Sequence, residues 1–164
     1  MKKTLLAILL ALALIVVPVG SALAGDTAGV TVTATPSFLG IENSPSTWPI
    51  GTVTADTDEE TGEGNFTLTN VSNVAIDTTI GCTVWSGTQS WAYGSAAEDQ
   101  GQLSFGTGGG YNTVVPAGST VTFVDDIAAY ATQGWGLKLD TPSSFTHGYV
   151  QTTTVTITAT EHIP

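Results

Sequence analysis

Over 164 residues the chain carries 14 acidic side chains against three lysines and arginines, a net charge of −11. Only 10% of its residues are charged, far below the ~25% of ordinary soluble domains, so Thr, Ser, Gly and Asn must keep it in solution. The balance excludes nucleic acid, whose phosphates need Lys or Arg to displace counterions, and it excludes docking on anionic lipid.

The chain opens with Met1-Lys2-Lys3, an unbroken apolar run from Leu5 to Val17, the breakers Pro18 and Gly20, and the small-x-small triplet Ala22-Leu23-Ala24. This order predicts a secretory signal peptide, helical over residues 1–24, cleaved to leave residues 25–164 as one domain. The apolar run is short for a membrane span, so no stable anchor is expected after cleavage. Cleavage would remove two of the three basic residues and leave Lys138 alone among the acids. The expected location is secreted, extracellular or at the cell surface.

Beyond residue 24 the leading signal is period-two alternation in Thr- and Val-rich runs. Strand side chains alternate between faces, and β-branched residues suit strands. Val30, Val32 and Ala34 share one face of a first strand that ends at Pro36. Gly51 to Ala55 is a weaker strand. Phe66 to Asn70 alternates again, and Asn70 to Asn73 reads as a turn. Val74 to Trp85 is the longest candidate; its even positions (Ile76, Thr78, Ile80, Cys82, Val84) form the buried face, which leaves Trp85 on the other. Trp91 to Tyr93 and Leu103 to Phe105 are weak strands. Thr120 to Val124 follows a Pro116-Ala117-Gly118 turn. Trp135, Leu137 and Leu139 point inward with Lys138 outward. Tyr149 to Ala159 closes the chain, with Val155, Ile157 and Ala159 on one face. The sum is all-β: a single antiparallel immunoglobulin-like β-sandwich of about seven to nine strands, with a jelly roll as the runner-up. Cys82 is the only cysteine. No internal disulfide can form, and its strand position predicts burial.

Four groups of residues carry the chemical readings. Asp56, Asp58 and Glu60 belong to an acidic stretch, Asp56 to Gly64, whose carboxylates could be hard oxygen ligands for Ca²⁺; the plainer reading is a solvated hairpin tip with no cofactor at all. Trp85, Trp91 and Tyr93 are candidates for an exposed platform that stacks on sugar rings, the alternative being that they fill the core. His147, beside Gly148, reads as a turn residue and His162 as a tail residue, with no His-rich metal motif. Asn65-Phe66-Thr67 and Asn70-Val71-Ser72 match the N-glycosylation pattern. Nothing forms a nucleophile elbow, phosphate loop or dinucleotide fingerprint, and the expectation is a protein that is not an enzyme.

Pro45 to Val53, Phe66 to Ser72 and the Thr-rich closing strand together resemble the layout of secreted prokaryotic Ig-like surface proteins. Trp135-Gly136-Leu137 has the tripeptide form of the WxL-type domain, although the second such tripeptide expected near the C-terminus is missing. The other group it resembles is the biofilm-fibre and camelysin-like sandwich, in which an N-terminal strand can complete a neighbour's sheet. The resemblance implies a cell-surface or filament subunit whose partners are other copies of itself or surface proteins and glycans. Val30, Val32 and Ala34 would then be the assembly strand, and a carbohydrate-binding module is the alternative function.

Overall fold

The structure is a computed structural model that describes residues 33–94 and 97–164. Contacts divide the chain between Thr35 and Pro36, and the fold is that of Pro36–Pro164. Ten strands and no helix occur among the described residues: β1 Ile41–Ser44, β2 Asp58–Glu60, β3 Phe66–Asn70, β4 Ile76–Cys82, β5 Ala92–Tyr93, β6 Gln100–Gly106, β7 Thr113–Val114, β8 Val121–Ile127, β9 Thr132–Asp140 and β10 Val155–Glu161. They form two sheets. The larger runs β1-β3-β9-β6-β5, with β2 also on β9 and β7 also on β6; the smaller runs β10-β4-β8. All the pairs are antiparallel except β5–β6. The all-β, two-sheet reading therefore holds, with ten strands where seven to nine were expected.

The sheets meet over a single apolar core. Phe105 of β6 and Trp135 of β9 meet Phe123 of β8 at ring-centroid distances of 5.1 and 5.2 Å, and Phe66 lies 4.7 Å from Trp135. These inward residues occupy the positions that alternation assigns, including Trp135, Leu137 and Leu139 in β9. Cys82 is buried as expected, and desolvation raises its thiol pKa, which leaves it a poor nucleophile.

Other expectations are corrected. Gly51 to Ala55 is not a strand. The acidic stretch is not a free tip: β2 pairs with β9 residues Asp140, Leu139 and Lys138. Between β2 and β3 the chain stays on the β9 edge, with Thr61 N–H donating to Leu137 O (2.9 Å) and Gly64 N–H to Trp135 O (3.0 Å). Gly136 permits this close approach, because a Cβ there would lie 2.5 Å from Gly62 O. The Asn70 sequon is also unsuitable: Asn70 is 0% exposed and its amide bonds the surrounding backbone. Asn65, in contrast, is exposed.

Candidate functional site

The aromatic platform is the largest correction. β4 ends at Cys82, and the chain then pairs with the segment before β10. Thr83 N–H donates to Thr154 O and Ser86 N–H to Thr152 O. Two residues, Val84 and Trp85, thus oppose one, Thr153. An extra residue of this kind shifts the inside-outside alternation by one. Val84 is turned out, 63% exposed, and Trp85 is turned in, 6% exposed. The Trp85 indole N–H donates to Gly101 O at 2.8 Å. Trp91 is 8% exposed. It meets Trp85 edge-on at 5.5 Å and stacks on Phe145 at 5.5 Å and 12°. Gly101 makes room for both, since a Cβ there would lie 3.0 Å from the Trp91 ring and 3.1 Å from Trp85 Nε1. Tyr93 is half-buried; its hydroxyl donates to Val115 O, and burial raises its pKa. These three side chains belong to the interior and offer no open stacking face.

Asp56, Asp58 and Glu60 do not converge. Asp56 sits in a left-handed turn (φ 57°). Asp58 is held by Lys138, whose Nζ lies 3.1 Å from Asp58 Oδ2 and 2.9 Å from Asp140 Oδ1. The Lys138 hydrogen bond is the main cause that lowers the Asp58 pKa. The ammonium group thus occupies the place between carboxylates that a cation would take. Among the described residues, no group of three His, Cys, Asp or Glu side chains is arranged to hold a metal ion.

Of the proposed assembly strand, Val30 and Val32 lie outside the described residues. Ala34 is described; it is exposed and belongs to no strand. Just beyond it, Ser37 Oγ donates to Glu161 Oε2 at 3.3 Å, and Phe38 N–H donates to Asn73 Oδ1 at 2.9 Å. The chain at Ser37 therefore lies beside the last residue of β10. That strand has one partner, β4, among the described residues, and its other edge has none among them.

An apolar cavity of about 1100 Å³ lies within this fold. Leu68, Trp135 and Leu137 line it from the larger sheet and Val155 and Ile157 from β10; Trp48 and the Phe145–Thr154 segment complete the wall. Tyr149 and Val150 stand exposed at its rim. Trp135 Nε1–H donates to Asn43 Oδ1 at 2.8 Å. Gln151 ties two loops together at the rim, accepting from Trp91 N–H (3.0 Å) and donating to Gln89 O (2.7 Å). Sequence reasoning gave the buried place of Trp85 and Trp91 only as the alternative to an exposed platform, and it read His147 as a turn residue and not as one that lines a cavity. The His147 side chain is 8% exposed, and its Nε2 lies 4.0 Å from Asp99 Oδ1. Hydrogen bonds from Thr146 hold the Asp99 carboxyl below its usual pKa. A lone His beside Gly carries no signal for such a position; only the tertiary fold brings it to the cavity.

His162 is likewise more than a tail residue. Its Nδ1 lies 2.8 Å from Asp77 Oδ1, which also accepts from Asp126 N–H at 2.9 Å. Asp126 belongs to a bulge of β8 against β4, and its φ is 54°. The Asp77 hydrogen bond raises the His162 pKa above 6.5, while the Asp126 amide first and His162 second lower that of Asp77 below 3.8. The folded state thus binds the His162 proton more tightly than the unfolded state does. Its contribution is complete below pH 6.5 and fades as pH rises through the folded value. The Asp77 contribution is present above pH 3.8 and fades on acidification. The expected result is a melting temperature that falls as pH rises above 6.5, with the slope reduced in His162→Gln; identical slopes would contradict it.

No family model, curated protein or solved structure matches this chain.

Proposed function

We propose that the chain is a secreted, non-catalytic structural subunit of a cell surface or extracellular filament, with an immunoglobulin-like sandwich whose N-terminal strand, Val30 to Thr35, pairs with a neighbouring copy. The observation that carries this reading is the edge of β10 that has no strand partner among the described residues, beside the point where Ser37 meets Glu161. An unpaired edge is a template for another strand. Natural sheets blunt such edges with charge or proline, whereas β10 reads Val-Thr-Ile-Thr-Ala-Thr with one acid at its end. Val30-Thr31-Val32-Thr33-Ala34-Thr35 has the same alternation, so its apolar face would join that of Val155, Ile157 and Ala159 while its threonines stayed in water. Main-chain hydrogen bonds would supply affinity and the alternate side chains register. The heavily acidic composition supports a subunit that stays soluble until a specific edge is engaged.

The test is electron microscopy of the purified chain without its leader, beside a version lacking residues 25–36. Filaments or ordered oligomers are expected only where residues 25–36 are present. Two monomers at high concentration, or assembly that survives the deletion, would contradict the reading.

A further inference from the structure

Where two sheets pack face to face, the side chains of their inner faces interdigitate and are buried. Ile76 and Ile80 of β4 obey this at 0% exposure. The inward residues of the neighbouring strand do not: Val155, Ile157 and Ala159 of β10 are only half-buried, although the alternate threonines are exposed. Val155 and Ile157 form one wall of the cavity of about 1100 Å³, and Ile41 of β1, Leu68 of β3 and Trp135 of β9 also line it. The smaller sheet has three strands where the main path of the larger has five, and among the described residues no strand continues the smaller sheet beyond β10. Interiors are otherwise packed nearly as densely as organic crystals. A gap bounded by an edge strand that has one partner, and by inner-face residues of the facing sheet, has the place of one missing strand.

We infer that this cavity is the acceptor groove for the N-terminal strand of a second copy, whose Val30, Val32 and Ala34 enter it from the β10 edge and complete the core. The inference rests on the strand-addition reading and adds which side chains the cavity selects. An added strand needs main-chain partners along one side and an apolar floor beneath it. The β10 edge supplies the first, and Ile41, Leu68 and Trp135 supply the second. Strand side chains alternate between faces, so Val30, Val32 and Ala34 turn into the groove together while Thr31, Thr33 and Thr35 stay in water. The walls match this segment in charge: the chain has 14 acidic side chains, yet among the described residues no acid, lysine or arginine lines the cavity. Val30 to Thr35 carries no charge either. The chain's own Thr33, Ala34 and Thr35 are exposed and belong to no strand, which favours a second copy's segment as the occupant.

The acceptor in the experiment is the chain without its leader carrying Val30→Asp and Val32→Asp, which keeps every residue of Pro36–Pro164 and has no apolar strand of its own to offer. The probe is a dye-labelled synthetic peptide of residues 25–36, followed by fluorescence anisotropy. NMR reads the β10 amides and the Trp48 and Trp135 indole resonances. Saturable binding is expected, with slowed exchange of the β10 amides and movement of both indole resonances. Val32→Ala in the peptide should weaken binding about tenfold, the worth of the methyl groups it withdraws from the groove. Thr33→Ala, on the outward face, should change it far less. Slowed β10 exchange with equal affinity for the native and Val32→Ala peptides would overturn the inference and leave strand addition standing; no binding and no change in β10 would overturn both. Indole resonances already at their peptide-bound positions in the unsubstituted chain diluted to monomer, and displaced in the double variant, would mean that the chain's own segment fills the cavity, which also overturns the inference. Should the double variant fail to fold, the peptides compete with assembly of the unsubstituted chain. The native peptide should then block assembly at about a tenfold lower concentration than the Val32→Ala peptide, and equal potency counts against the groove.

Discussion

Trp135→Ala is expected to destabilise the fold by about 3–5 kcal/mol, the range for removing a large aromatic from a packed core. Trp135 joins the two sheets. Its ring contacts Phe66 within the larger sheet and Phe123 of the smaller one, and its indole N–H donates to Asn43 Oδ1 in β1. The substitution therefore removes apolar burial, enlarges a cavity that already borders this residue, and strips a partner from the edge strand. Trp135→Phe restores much of the volume but not the hydrogen bond, and should recover most of the loss. Urea unfolding followed by far-UV circular dichroism measures both. A Trp135→Ala chain within about 1 kcal/mol of wild type would show that the two sheets do not share this core.

Asn70→Ala is expected to cost about 3 kcal/mol, although it removes little apolar area. Asn70 is wholly buried at the end of β3. Its Nδ2 lies 2.9 Å from Val74 O, 2.9 Å from Ile127 O and 3.0 Å from Ala128 O, and its Oδ1 accepts from Ser72 N–H at 2.8 Å. One side chain thus pins the turn into β4 to the exit from β8. Alanine leaves several buried backbone groups without partners, at about 1–3 kcal/mol each where water cannot reach them. Asn70→Asp should be at least as harmful, since it turns a carboxylate toward three carbonyl oxygens. The same unfolding assay reads both variants, and an Asn70→Ala loss below about 0.5 kcal/mol would contradict the network. Because this amide is buried and engaged, mass spectrometry of protein from a glycosylating host should place any glycan at Asn65 and none at Asn70.

How far the sequence reaches is clearest strand by strand. Phe66-Thr67-Leu68-Thr69 and Trp135-Gly136-Leu137-Lys138-Leu139 are legible because each has one wet and one dry face, and period-two alternation records that difference directly. β4 is legible as far as Cys82. Beyond it the extra residue at Val84–Trp85 depends on pairing with Thr152–Thr154, some 70 residues away, and no local pattern encodes it. β2 is hidden for another reason: Asp58-Glu59-Glu60 has poor strand propensity, and it is Lys138 across the pair that makes those acids tolerable there. The cavity draws on Trp48, Leu68, Trp91 and His147, from segments that are distant in the chain. From the sequence, Trp91 could be named only as an aromatic with two readings, and His147 only as a turn residue.

Strand exchange is tested most directly by cross-linking between two populations of the protein. One carries Thr31→Cys in the N-terminal strand. The other carries Thr156→Cys, Thr158→Cys or Thr160→Cys on the exposed, outward face of β10. Cys82 stays in both, because it is buried. After mixing and mild oxidation, a disulfide-linked dimer on a non-reducing gel is expected for at least one β10 position and not for its neighbours two residues away, since disulfide geometry tolerates little displacement. No mixed dimer at any of the three positions, or equal amounts at all of them, would contradict the account.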